Sequence, residues 1–147
     1  MQNLNTTHRK EIRERDEIFV PVGKAKTSFI DVRDIAAVAA LALTANGHEG
    51  KRYDLTGGEA LDYWQVTKIL SRVLGREIKY QNPNLIHFLI QTMRRGTPFV
   101  FALVQTGLYT STRFGMAETI TNEVARITGR KPITFEEYAR DYKENWI

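Results

Sequence analysis

The chain has 147 residues, of which 42% are hydrophobic and 26% charged, with no cysteine and a net charge of +4. That length holds one domain with a sizeable core, and the missing cysteines exclude disulfides and thiol chemistry and suit the cytoplasm. The basic balance does not mark a nucleic-acid surface: in residues 8–16 (HRKEIRERD), Lys10 and Glu14, and Glu11 and Arg15, stand at i,i+4 as on a solvated helix face.

Residues 1–17 read as a polar helix with few apolar anchors, chiefly Leu4 and Ile12, and without the apolar core of a secretory signal. Residues 18–22 turn β-like, and Gly23-Lys24-Ala25-Lys26 is a turn. Ser28-Phe29-Ile30 predicts a short strand. Asp31-Val32-Arg33-Asp34 is a polar corner with Asp34 in the N-cap position of an alanine-rich helix. That helix is apolar nearly all round, which predicts cover on more than one side. Asn46-Gly47 ends it.

Residues 51–56 read as a strand with Tyr53 and Leu55 on one face, followed by a Thr56-Gly57-Gly58 turn. The next helix has a full start signal: Asp62 as cap, Gln65 three residues later, and Leu61 and Val66 as a hydrophobic staple. Val66, Ile69, Leu70 and Val73 make its buried face, Gly75 stops it, and residues 76–80 give another short strand. Residues 85–93 predict a helix with Ile86, Leu89, Ile90 and Met93 inward. A second apolar stretch covers 99–109, and 108–115 reads as a loop. These runs are too short to cross a membrane, and two arginines, a glycine and a proline lie between them. They predict a helical hairpin over a pocket or an interface. Ile120, Val124 and Ile127 line a further helix ended by Gly129. Thr134 and Glu137 form a second capping box, with Ile133 and Tyr138 as its staple, ahead of an inward aromatic series: Phe135, Tyr138, Tyr142 and Trp146.

No complete catalytic or metal motif is present. Gly47 and Gly50 follow a helix, and Gly57-Gly58 has no further glycine at the distance a dinucleotide turn needs. Tyr63 and Lys68, like Tyr138 and Lys143, are five apart and do not share a helix face. His8, His48 and His87 are scattered, with no metal-ligand spacing. His87, in an apolar helix, reads as a core or pocket histidine. Asp31 and Arg33 read first as loop ties and second as candidates to line a substrate pocket.

Three stretches carry a family resemblance: FIDVRDIA with the alanine-rich helix after it; residues 50–80, GKRYDLTGGEALDYWQVTKILSRVLGREIKY; and the closing ITGRKPITFEEYARDYKENW. Their order and spacing resemble the second half of the NmrA-like atypical short-chain dehydrogenases, a group related to nucleoside-diphosphate-sugar epimerases. The start, Met1-Gln2-Asn3-Leu4, is similar to the family segment R-P-x-x-F-M-x-N-L.

The resemblance implies an α+β fold, mostly helical with a few short strands. It would be the substrate-side half of such an enzyme, lacking the Rossmann N-terminal half. One domain is expected over 1–147, with 1–82 completing a Rossmann-like sheet and 83–147 forming a helical substrate-side part. NAD(P) is the cofactor of the full-length family, and none is expected to bind here. The resemblance implies Asn3 near nicotinamide and substrate once the other half is supplied. It makes Asn3, Asp31 and Arg33 pocket candidates for a small-molecule substrate; His87 joins them from its place in an apolar helix, and the spacings leave no catalytic or metal residue. It also places residues 51–56 at the edge of a parallel sheet whose neighbour is missing, so a homodimer or higher oligomer is expected. The two functional readings are a portion of an NAD(P)-dependent oxidoreductase or epimerase, inactive alone, and a non-catalytic, redox-sensor-like interaction protein.

Overall fold

Local chemistry starts and stops most of the helices. The computed structural model describes all 147 residues and is 52% helical. A 3-10 turn at Gln2–Leu4 precedes α1 (Arg9–Arg15), so residues 1–17 are a turn followed by a short helix, with strand β1 (Glu17–Phe19) after it. Strand β2 is Thr27–Ser28 and α2 is Val32–Thr44. Strand β3 (Ala60–Leu61) leads into α3 (Tyr63–Leu74), and β4 is Lys79–Gln81. Helices α4 (Leu85–Arg94), α5 (Phe99–Arg113), α6 (Glu123–Thr128) and α7 (Phe135–Asp141) follow, and a 3-10 turn at Lys143–Asn145 ends the order.

Both capping boxes form. Asp62 accepts the Gln65 N–H at 2.8 Å while Gln65 accepts the Asp62 N–H at 3.0 Å. Thr134 and Glu137 do the same, at 3.2 Å and 2.8 Å. Each box satisfies two backbone donors that a helix start leaves open. Gly75 and Gly129 end α3 and α6 in the left-handed conformation, with φ of 71° and 72°.

The strands make two small sheets. β1 pairs with β4 in parallel, Ile18 opposite Tyr80. β2 pairs with β3 antiparallel, Ser28 opposite Ala60. α3 packs on α7, α2 on α6, and α4 on α5. One core joins Leu4, Ile12, Ile18, Val20 and Val22 to Val66 and Leu70 of α3 and to Phe135, Tyr138 and Trp146. Trp146 is fully buried, and its indole N–H donates to the Leu4 carbonyl at 3.0 Å, closing the chain's end onto its start.

Several expectations are corrected. Residues 51–56 form no strand, because no strand of this chain lies beside them. They are held instead through side chains, with Thr121 donating to the Asp54 carbonyl at 2.6 Å. α5 continues to Arg113, so 108–115 is mostly helix. α4 turns Phe88 and Thr92 inward and leaves Ile86 73% and Ile90 44% exposed. Its inner surface is set by contact with Phe19 and Tyr109, which an apolar count does not reveal. α2 is covered on one side only: Asp34 and Val38 are buried while Leu43 is 87% exposed. No helix is long and apolar enough to cross a membrane.

Truncating Trp146 to alanine removes the largest buried side chain of the core and is expected to cost about 3–5 kcal/mol. Thr134→Ala removes one cap and should cost about 1 kcal/mol. Urea unfolding of the two variants against the parent checks both values and their order.

Candidate functional site

The polar corner acts first as a joint. Asp31, with Asp34 next in the first turn, is the residue that caps α2, correcting the expectation for Asp34. Asp31 is wholly buried, and its Oδ1 accepts the Arg33 N–H at 2.9 Å, Arg33 Nε at 3.1 Å and Gln2 Nε2 at 3.0 Å. Oδ2 accepts Arg33 Nη2 at 2.9 Å. A buried carboxylate persists only when so satisfied. Burial alone would raise its pKa, but the hydrogen bonds from the Arg33 side chain and backbone and from Gln2 outweigh burial and hold it below the usual carboxylate range. Arg33 also reaches Asp141 at 2.6 Å and lies over the Tyr142 ring, which ties α2 to α7. Asp34, also buried, pairs with Arg130 at 2.6 Å and accepts the Ile133 N–H at 2.8 Å.

The joint fixes the N-terminal segment. Gln2 Oε1 accepts the Val32 N–H at 3.0 Å, and the Met1 ammonium donates to the Ile30 carbonyl at 2.6 Å. Met1 and Asn3 thereby form one wall of a cleft of about 390 Å³. Thr27, Phe29 and Tyr63 make its floor, and Gln105, Leu108 and Tyr109 of α5 its far wall. The volume lies within the usual range for small-molecule sites, as does the mixture of aromatic surface with a few polar groups. Thr27 Oγ1 is shielded from solvent there without a hydrogen-bond partner.

Of the four pocket candidates, the structure places Asn3 in the cleft wall. Asp31 and Arg33 do not line it; they are engaged in the joint behind it. His87 is exposed on α4, against the edge of the Phe19 ring, and lines a separate shallow groove with Ile86 and Arg94. Sequence reasoning missed His8, Gln105 and Tyr109. His8 Nε2 lies 2.8 Å from the Tyr109 hydroxyl, and His8 Nδ1 2.5 Å from Glu11 Oε1. Glu11 Oε2 accepts Arg95 Nη1 at 2.8 Å. The one available signal was His8 and Glu11 at i,i+3 on a helix otherwise suited to solvent.

The phosphates of a dinucleotide need a glycine turn open to a ligand. Gly57 is used otherwise: a Cβ there would stand 1.9 Å from the Phe29 carbonyl oxygen, so its bareness admits the backbone of residue 29. The Gly57 turn is therefore closed to a ligand's phosphates by the chain's own backbone. No three His, Asp or Glu side chains converge as a metal-binding group.

Fold and cleft together define the substrate-side half of a short-chain-dehydrogenase-type fold. The chain is 37% identical over 140 residues to an NAD(P)H azoreductase of Xenophilus azovorans, and 35% identical over 136 residues to an agroclavine dehydrogenase of Claviceps fusiformis. These alignments take in 95% and 92% of this chain, but 49% and 47% of those proteins. In structure it resembles an NADPH-dependent quinone oxidoreductase of Escherichia coli, with a TM-score of 0.86 at 22% identity, over 96% of this chain and 51% of that one. No family model matches the sequence. The chain spans about half the length of the curated relatives it matches, and it belongs to the NmrA-like atypical short-chain dehydrogenases as the C-terminal half of their fold.

Because the folded pKa of Asp31 is depressed, its contribution to stability is present above the unfolded carboxylate value of about 3.9 and is lost as pH falls through the folded value. Asp31→Asn should therefore lower stability at neutral pH and reduce the loss of stability on acidification. Urea midpoints from pH 7 down to about pH 3 read both effects.

Proposed function

We propose that this chain is the substrate-side portion of an NAD(P)-dependent oxidoreductase that acts on a small molecule, with the cofactor's phosphates held by polypeptide outside residues 1–147. The observation that carries this reading is the cleft. It is preformed, walled by Met1, Asn3, Tyr63 and Tyr109, and set in a half-fold shared with proteins named as reductases and dehydrogenases. In this reading Asn3 stands where nicotinamide and substrate meet, and the chain alone is inactive. The cysteine-free sequence fits a reducing cytoplasm.

The apolar surface favours a second reading beside the first: a non-catalytic, redox-sensor-like protein that works by association. Val32, Ile35, Leu41 and Leu43 of α2 are uncovered, as are Phe99, Val100, Phe101 and Val104 of α5. Large apolar side chains left uncovered on two helices favour an interaction surface, and we assign them to contact with another copy or with a full-length relative.

Two measurements test these readings. Fluorescence titration with NADPH should show no saturable micromolar binding to the chain alone; saturable binding would overturn the view that the phosphate site lies elsewhere. Light scattering at micromolar concentration should return a dimer or larger species, and a clean monomer would remove the self-association reading.

A further inference from the structure

Residues 51–56 have the sequence of a strand, and the structure leaves their backbone open. The N–H groups of Arg52, Tyr53, Asp54 and Leu55 donate to nothing in the chain. Of the carbonyls of residues 51–55, only that of Asp54 accepts a hydrogen bond, from Thr121 Oγ1 at 2.6 Å. Exposure alternates along the segment with the period of a strand: Arg52 and Asp54 lie in solvent, while Tyr53 and Leu55 are half-buried. A row of unpaired backbone groups is a template for another strand.

The two edges of the segment differ. In an extended chain the backbone groups of successive residues face opposite edges. Thr121 takes the Asp54 carbonyl, so it occupies the edge that Arg52 and Asp54 share. The other edge presents the N–H and C=O groups of Tyr53 and Leu55 and the C=O of Lys51, and nothing in the chain bonds to it. The Lys51 N–H is used in a turn, donating to the His48 carbonyl at 3.1 Å.

We propose that this edge pairs with the same edge of a second copy, antiparallel about a twofold axis at Tyr53. The proposal rests on the self-association reading and names its interface. Charge selects the arrangement. Centred on Tyr53, Arg52 of each copy stands opposite Asp54 of the other, so opposite charges face each other twice. A parallel pair in register would set Arg52 against Arg52 and Asp54 against Asp54, which opposes association. Hydrogen bonding agrees with the antiparallel choice. The two Tyr53 residues exchange N–H and C=O, and each Leu55 N–H donates to the Lys51 carbonyl of the other copy. Arg52 and Asp54 then fall at the non-hydrogen-bonded position, where opposed side chains are closest. Within one copy these two side chains are 3.8 Å apart but 91% and 79% exposed, so their own contact holds them weakly and both can turn to a partner. Apolar surface adjoins the segment. Arg126 of α6 lies over the Tyr53 ring, and α2, with Leu41 and Leu43 uncovered, packs on α6. A twofold contact repeats each of these features on both sides.

Sedimentation velocity on the full chain tests the pairing, with circular dichroism to confirm folding. The parent is expected to dimerise at micromolar concentration. R52D or D54R alone sets like charges against each other in both facing pairs and should raise the dimer Kd about tenfold. Because the chain carries a net charge of +4, a general charge effect would move the two variants in opposite directions, R52D lowering the net charge and D54R raising it. R52D and D54R combined in one chain exchange the facing charges and should restore the parent's Kd. Mixing the two single variants should do the same, since each then faces its complement. A dimer indifferent to the single reversals, or a combined variant that stays weakened, overturns the strand pairing and leaves self-association standing. A monomeric parent overturns both.

Discussion

The buried carboxylate of Asp31 is the constraint on which the arrangement depends. It is charged, it is out of water, and it is satisfied from two parts of the chain: Arg33, through both its backbone N–H at the helix start and its guanidinium, and the Gln2 amide. Because a buried charge tolerates no missing partner, each of these segments is fixed by the same requirement. Arg33 passes the constraint on to α7 through Asp141 and Tyr142. Gln2 passes it to the N-terminal turn, and so sets where Met1 and Asn3 stand in the cleft wall.

The chain's end supports the same segment from the other side. Trp146 donates to the Leu4 carbonyl, and Arg76 joins the Trp146 carbonyl to that of Ile12 at 2.6 Å and 3.1 Å. The turn at Gln2–Leu4 and the helix α1 are therefore held between two anchors, although little in their own sequence would keep them ordered. This lets a polar helix carry two buried ionisable side chains, His8 and Glu11, at the edge of the cleft. The cost of burying them is offset by Tyr109, Arg95 and the Phe19 amide, which meet them from α5, the end of α4 and β1.

The same molecule leaves other surfaces without cover. α2 is apolar around most of its circumference but packed on one side, and α4 and α5 pack on each other with wide apolar faces outward. Residues 51–56 carry the sequence of a strand without a strand beside them. They stand in a chain that spans about half the length of the curated relatives it matches.

Local chemistry was legible in the sequence. The capping boxes at Asp62 and Thr134 and the glycine stops at Gly75 and Gly129 form because each is decided within a few residues, by backbone donors that need an acceptor or a φ only glycine readily takes. The class of fold was legible too, through FIDVRDIA and the segments in register with it. What failed depended on distant partners. Residues 51–56 are not a strand because a strand needs a neighbour, and Ile86 and Ile90 face outward because Phe19 and Tyr109 reached the other side of α4 first. The cap fell to Asp31 and not Asp34 because Gln2 and Arg33 converge on it. Tyr109 stands 101 positions from His8, and no local pattern carries that distance. The sequence by itself determined the helix caps and stops that are decided within a few residues, and the family. Only tertiary packing decided which polar groups meet out of water, because that depends on what each buried charge finds to satisfy it.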